Sequence, residues 1–95
     1  RSRFEFCGEG GVLCLAQARQ VWQDIQDAAE EAYDRTAQCD FTSFVGYEWT
    51  ASGGQGLNLH RNVVFRNGSV PSLPVSSVET ESAFALWGAL EKECI

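Results

Sequence analysis

Residues 41–66 read FTSFVGYEWTASGGQGLNLHRNVVFR and decide the fold. The first part, residues 41–49, is rich in aromatic residues. Apolar side chains occur at both odd and even positions, which is typical of a strand covered on both faces. Residues 52–56 then supply turn-forming serine and glycine. A second strand-like run follows over residues 59–65. The stretch therefore predicts two strands joined by a loop.

Glu48 and His60 are predicted at the two ends of these strands that meet. Eleven residues separate them, too few for a helical crossover, so the strands are expected to be antiparallel neighbours. That geometry brings the carboxylate and the imidazole to one side of the sheet, close enough to share a cation. Both side chains are ligand types of oxygen- and nitrogen-coordinated metals. Two other interpretations stay open: His60 as a structural histidine, and Arg61 or Arg66 as the partner of Glu48.

The pair is too small to form a metal centre by itself. A hydrolytic metal site needs three or more protein ligands and an open position, and His60 is the chain's only histidine. Arg61, with Asn58 and Asn62, is placed to orient an anionic substrate near His60, since guanidinium groups bind phosphate and carboxylate oxygens. Strand-edge polar groups that bond only to loop backbone are the alternative.

The flanking segments predict an α/β arrangement of a helix, an antiparallel strand pair and a helix. Apolar residues recur at three- and four-residue spacing over 15–35, which indicates an amphipathic helix. The glycine-rich residues before it suit a loop. Ser76 and Glu79 have the spacing of a capping box, and helical periodicity continues from there to a second, shorter helix at the end of the chain.

Composition limits the function classes. With 95 residues the chain holds one domain at most, and its net charge of −6 disfavours nucleic acid as a partner. No run reaches membrane-spanning length. Four cysteines favour an oxidising compartment and permit three pairings. Their spacing lacks the paired knuckles of structural zinc.

Several blocks resemble an internal stretch of large bacterial proteins of unknown function related to the polymerase and histidinol phosphatase (PHP) superfamily of metal-dependent phosphoesterases. The resemblance runs from about Cys14 to Cys94. Its blocks are residues 41–50, residues 58–67, Val70-Pro71 and Leu86-Trp87, and the specific parts are Gly46-Tyr-Glu-Trp-Thr50 and Asn58-Leu-His-Arg-Asn62. It implies a slice of a distorted β/α barrel that holds two or three cations at the C-terminal ends of its strands. Glu48 and His60 match the positions of a glutamate ligand and a histidine ligand.

The superfamily's other ligand motifs are absent from the chain. Its opening His-x-His motif, its Asp-His motif and its closing Asp/His ligands would lie before Arg1 and after Ile95. Residues 1–95 are therefore expected to be a single partial domain, inactive alone, with the remainder of the domain as its partner. The barrel also implies disulfides Cys39–Cys94 and Cys7–Cys14.

Two hypotheses of different classes follow. In the first, the chain is part of a periplasmic or secreted metal-dependent hydrolase of the phosphoesterase kind. Glu48 and His60 ligate Zn²⁺ or Mn²⁺ in the intact protein, and Arg61 contacts a small anionic ester substrate. In the second, the chain is a non-enzymatic, disulfide-stapled secreted interaction module or a degenerate relative, in which Glu48 and His60 only form hydrogen bonds.

Overall fold

A computed structural model describes residues 4–52 and 58–94 of the chain. Two short 3-10 turns, Glu5–Cys7 and Glu9–Gly11, precede the long helix α1. The remaining elements are an antiparallel hairpin and a C-terminal helix. In chain order the main elements are α1 (Val12–Ala32), β1 (Gly46–Ser52), β2 (Asn58–Val64) and α2 (Ala83–Glu93). The predicted order of helix, antiparallel strand pair and helix is confirmed.

The N-terminal turns are fastened to the start of α1. Gly10 and Gly11 have φ of 68° and 74°, values that favour glycine, and they let the chain turn sharply into the helix. A disulfide joins Cys7 to Cys14 in the first turn of α1, with Cα atoms 4.9 Å apart. This pairing is confirmed. Helix α1 begins three residues before the predicted position because the glycines form the compact turns ahead of it.

Helix α1 ends at Ala32 rather than near residue 35 because the following carboxylate organises a turn. Asp34 accepts hydrogen bonds from the hydroxyl of Thr36 (2.6 Å), the backbone N–H of Asp40 (2.9 Å) and that of Thr36 (2.9 Å). The Thr36 hydroxyl bond, together with the two backbone bonds, lowers the pKa of Asp34 below its ordinary value. Aspartate commonly favours such local turns over helix continuation.

Strand β1 begins later than the sequence predicts. Residues 41–45 are not strand, because the hydroxyl of Ser43 donates a hydrogen bond to the carbonyl of Ala29 and ties the segment to α1. The strand instead continues to residue 52, so Glu48 lies inside β1 and not at its end. The prediction that this run is covered on both faces is wrong, since one face of the hairpin is exposed.

The other face of the hairpin packs onto α1. Trp22 of α1 forms a buried cluster with Val45 and Phe65, against which Tyr47 and Val63 also pack. The indole N–H of Trp22 donates to the carbonyl of Pro71 at 2.8 Å. The core therefore joins the helix, both strands and the segment that follows them.

Aromatic side chains of β1 bind the segment that leads to α2. The Tyr47 hydroxyl donates to the carbonyl of Val75 at 2.8 Å. The Trp49 indole N–H donates to the buried hydroxyl of Thr80 at 3.1 Å. The Thr80 hydroxyl in turn donates to the carbonyl of Ser76 at 2.8 Å. Each buried polar group of this face thus has a partner.

Ser76 and Glu79 form one half of the predicted capping box and do not start α2. The Ser76 backbone N–H donates to the Glu79 carboxylate at 2.9 Å, and the Ser76 hydroxyl contacts the same oxygen. The turn ends there, and α2 begins at Ala83 with Ser82 as N-cap, whose hydroxyl accepts from the backbone N–H of Ala85. A local capping pattern specifies the turn without specifying how far the helix extends.

The predicted disulfide between Cys39 and Cys94 is wrong, because both are free thiols. Cys94 packs against the Trp22 cluster. Cys39 lies exposed in the turn organised by Asp34, with φ of 48°, and its sulfur is 3.9 Å from the hydroxyl of Thr42. The turn holds Cys39 at the surface, whereas Cys94 faces the interior.

Candidate functional site

The exposed face of the hairpin carries the candidate residues. Across the two strands Thr50 pairs with His60 and Glu48 pairs with Asn62. Residues two apart on a strand share a face, so all four lie on the same side of the sheet, opposite the face that packs onto α1. Antiparallel pairing therefore converts residues twelve apart in sequence into diagonal neighbours.

Glu48 and His60 are in contact on this face. The Oε1 atom of Glu48 is 3.4 Å from Nδ1 of His60, and the side chains remain 57% and 55% exposed. The hydroxyl oxygen of Thr50 lies 2.9 Å from the same ring nitrogen. The expected proximity of Glu48 and His60 is confirmed, and the partner of the carboxylate is the histidine. Metal ligation by this pair stays a prediction.

The side chain of Arg61 lies on the opposite face of the hairpin from that of His60. It pairs with Trp49 across the hairpin, and its side chain is exposed. Its Nη1 donates a hydrogen bond to the backbone carbonyl of His60 at 2.9 Å. The guanidinium is thus bound to the main chain of His60 rather than to the imidazole or to Glu48. The predicted contact with substrate remains a prediction.

A family model described as "Protein of unknown function (DUF3604)" matches residues 2–95. The chain belongs to this family. Comparison of the DUF3604 chain with curated proteins and with solved structures found no match. That description names no activity.

The described part of the DUF3604 chain brings together one carboxylate and one imidazole, those of Glu48 and His60. Within residues 4–52 and 58–94, no group of three or more His, Cys, Asp or Glu side chains is arranged to hold a metal ion. One carboxylate and one imidazole fit the donor types of a Zn²⁺ or Mn²⁺ site. They fall short of the three or more ligands that such a site requires. The pair fits part of a metal centre.

Thr50 is the site residue that reasoning from the sequence missed. It is partly buried and is the closest partner of the imidazole. The alternation of side chains along β1 places it on the face of Glu48, but its position opposite His60 depends on the hairpin register. Glycine-containing residues 53–57, on which the predicted loop falls, lie outside the described residues.

No helix in the described part of the DUF3604 chain is both long and apolar enough to cross a membrane. The Cys7–Cys14 disulfide agrees with the predicted oxidising environment.

Proposed function

We propose that the chain contributes Glu48 and His60 to the divalent-metal centre of a metal-dependent hydrolase that acts on phosphate esters or similar anionic esters. The observation that carries this proposal is the contact, at 3.4 Å, of the chain's only histidine with a carboxylate on an exposed face. A cation bound there would polarise the ester and lower the pKa of a bound water. Zn²⁺ and Mn²⁺ suit the donor set.

The exposure of the pair favours a functional role over a stabilising one. Ion pairs between exposed side chains contribute only about 0–1 kcal/mol to stability, and both residues are more than half exposed. The fold is held by the opposite face of the hairpin, where Tyr47 and Trp49 pack and form hydrogen bonds. Glu48 and His60 are therefore available to a ligand without loss of the core.

Arg61 is proposed as the contact for the substrate anion. Its guanidinium is exposed and adjoins the backbone of His60. Only one of its N–H groups is used by that carbonyl, and the others suit the oxygens of a phosphate. The hydrogen bond to the His60 carbonyl would keep the guanidinium beside the residue that carries the imidazole.

The missing ligands are proposed to come from the remainder of a larger domain related to the PHP superfamily, with residues 1–95 as one part of a distorted β/α barrel. The chain's radius of gyration is 15.4 Å, against about 12 Å for a compact domain of this length. Large apolar side chains are also exposed on α1 and α2. They include Val12, Leu13, Val21, Phe84 and Trp87. Such surface is what neighbouring parts of a domain would cover.

The compartment proposed for the protein is periplasmic or secreted. The Cys7–Cys14 disulfide supports this, since such bonds persist in oxidising environments.

A second candidate function is a non-enzymatic interaction module. The observation that favours it is the pair formed by Phe84 and Trp87 on α2. Their rings meet edge to face at 5.2 Å, and the residues are 79% and 54% exposed. Exposed aromatic side chains are characteristic of protein-binding surfaces. In this alternative Glu48 and His60 form only a surface hydrogen-bonded pair.

A test of the intact protein distinguishes the two candidate functions. Hydrolysis of a phosphate monoester should require Zn²⁺ or Mn²⁺, stop on addition of chelator, and be abolished by His60→Ala and strongly reduced by Glu48→Gln. Glu31→Gln, an equivalent change at an exposed position of α1, is the matched control and should retain activity. Turnover that survives both substitutions and the chelator would exclude the metal centre and leave the interaction module.

A further inference from the structure

Two side chains converge on one nitrogen of the His60 ring. The Thr50 hydroxyl oxygen lies 2.9 Å from Nδ1, and Glu48 Oε1 lies 3.4 Å from the same atom. A neutral imidazole carries its proton on one nitrogen and a lone pair on the other, and the neighbours decide which. The surroundings of Nδ1 therefore determine what Nε2 can do.

The carboxylate resolves the choice of tautomer. An ionised carboxylate accepts hydrogen bonds and cannot donate them. If Nδ1 carried the lone pair, Glu48 would face it without a proton between them. If Nδ1 carries the proton, it donates to the Thr50 hydroxyl oxygen and is attracted to Glu48. Both neighbours are then satisfied, and the lone pair lies on Nε2.

We infer that Thr50 is a positioning residue that, together with Oε1 of Glu48, holds His60 as the Nδ1–H tautomer, so that Nε2 is the atom presented to a cation. The part of this inference that concerns a cation rests on the proposed function, whereas the assignment of the tautomer does not. Metal-binding histidines commonly donate their second N–H to a carboxylate, a carbonyl or water, which fixes the ring and raises the basicity of the ligating nitrogen. Glu48 contacts the ring through Oε1 in this arrangement, and Oε2 is the carboxylate oxygen that would serve a cation.

The backbone supports this assignment. Thr50 and His60 are directly opposite in the hairpin, where Cβ atoms lie about 4.5–5.5 Å apart, so the contact is set by strand pairing. Thr50 is β-branched and rotationally restricted, which keeps its hydroxyl near Nδ1. Arg61 also binds the carbonyl of His60. The imidazole is therefore contacted by Thr50 and Glu48, whereas Arg61 binds only the main chain of His60.

The tautomer can be measured directly in the intact protein labelled with ¹⁵N in histidine. Long-range ¹H–¹⁵N correlation spectra, recorded without metal at a pH where the imidazole is neutral, distinguish the protonated ring nitrogen from the unprotonated one. The His60→Gln spectrum identifies the His60 signals by their loss. The expected result is a protonated Nδ1 and an unprotonated Nε2. A predominant Nε2–H form would overturn the inference.

Variants test the two side chains that contact Nδ1. Thr50→Val removes the hydroxyl at nearly constant shape, and Glu48→Gln removes the negative charge. Each should shift population from the Nδ1–H form toward the Nε2–H form. Thr50→Ser keeps a hydroxyl and should restore the original spectrum, which separates the hydrogen bond from a general effect on folding. An unchanged tautomer in both Thr50→Val and Glu48→Gln would contradict the assigned roles.

Added Zn²⁺ distinguishes this inference from the proposed function. A change in chemical shift confined to the Nε2 resonance supports both the tautomer and the proposed metal site. A shift of Nδ1, with loss of its proton, would contradict the inference and leave the metal centre standing. A spectrum that shows the Nδ1–H form but does not respond to Zn²⁺ would retain the tautomer and refute the proposed metal site.

Discussion

The two faces of the hairpin use alternate residues of the same strands in opposite ways. On the face that packs onto α1, Trp49 is buried and Tyr47 is partly buried, and both direct their polar atoms to fixed partners in the segment before α2. On the exposed face, Glu48, Thr50 and His60 are polar and have one another as partners. The comparison teaches that stability and candidate chemistry are separated by one residue step along a strand.

The largest expected effect is on the packed face. Trp22→Ala should reduce the free energy of unfolding by about 3–5 kcal/mol, because it removes a large buried ring and leaves a cavity. Trp22 is 1% exposed and also donates to the carbonyl of Pro71. Urea unfolding followed by circular dichroism measures the change. Trp87→Ala, at a 54% exposed position, is the matched control, and an equal loss in both variants would refute the proposed core.

A smaller effect should appear at alkaline pH. Burial raises the pKa of Tyr47 from its ordinary value of 10.0 to about 12. The unfolded chain loses this proton near pH 10, whereas the folded chain keeps it until about pH 12, so the contribution to stability is complete below pH 10 and declines as the pH rises toward 12. Stability measured across this range should fall with pH. Tyr47→Phe should flatten that dependence, and an equal slope in both proteins would contradict it.

The smallest expected effect on stability belongs to the exposed face. Glu48→Gln and His60→Ala should each change the free energy of unfolding by no more than about 0.5 kcal/mol, as is usual for surface substitutions. The same urea experiment measures this. A loss comparable to that of Trp22→Ala would show that the exposed face supports the fold, and the separation between the two faces would fail.

Sequence periodicity predicted the elements because their signals are local. The spacing of apolar residues along α1 and the short connection between the strands follow directly from the printed residues. The proximity of Glu48 and His60 followed from the antiparallel connection. The role of Thr50 could not be predicted from the sequence. A strand sequence determines which residues share a face, but the residue that lies opposite each of them depends on the register of the hairpin.

The errors came from side chains that bind backbone groups of other residues. Residues 41–45 have the composition of a strand, but Ser43 binds the carbonyl of Ala29 in α1, a contact fourteen residues away. The proposed Cys39–Cys94 bond failed for a similar reason. Asp34 binds the backbone of Asp40 and forms a turn that holds Cys39 at the surface. A side chain that captures backbone groups can override a strand pattern and move a cysteine.

The disulfide at the start of α1 has a consequence for the initiation of that helix. Starting a helix is unfavourable because the first turn fixes several residues for one hydrogen bond. Cys7 and Cys14 are separated by only seven positions, and closing so short a loop costs little entropy compared with a long one. Once oxidised, the pair holds the chain at the point where α1 begins. The bond therefore lowers the cost of starting α1, because it ties a residue of the first helical turn to the turn before it.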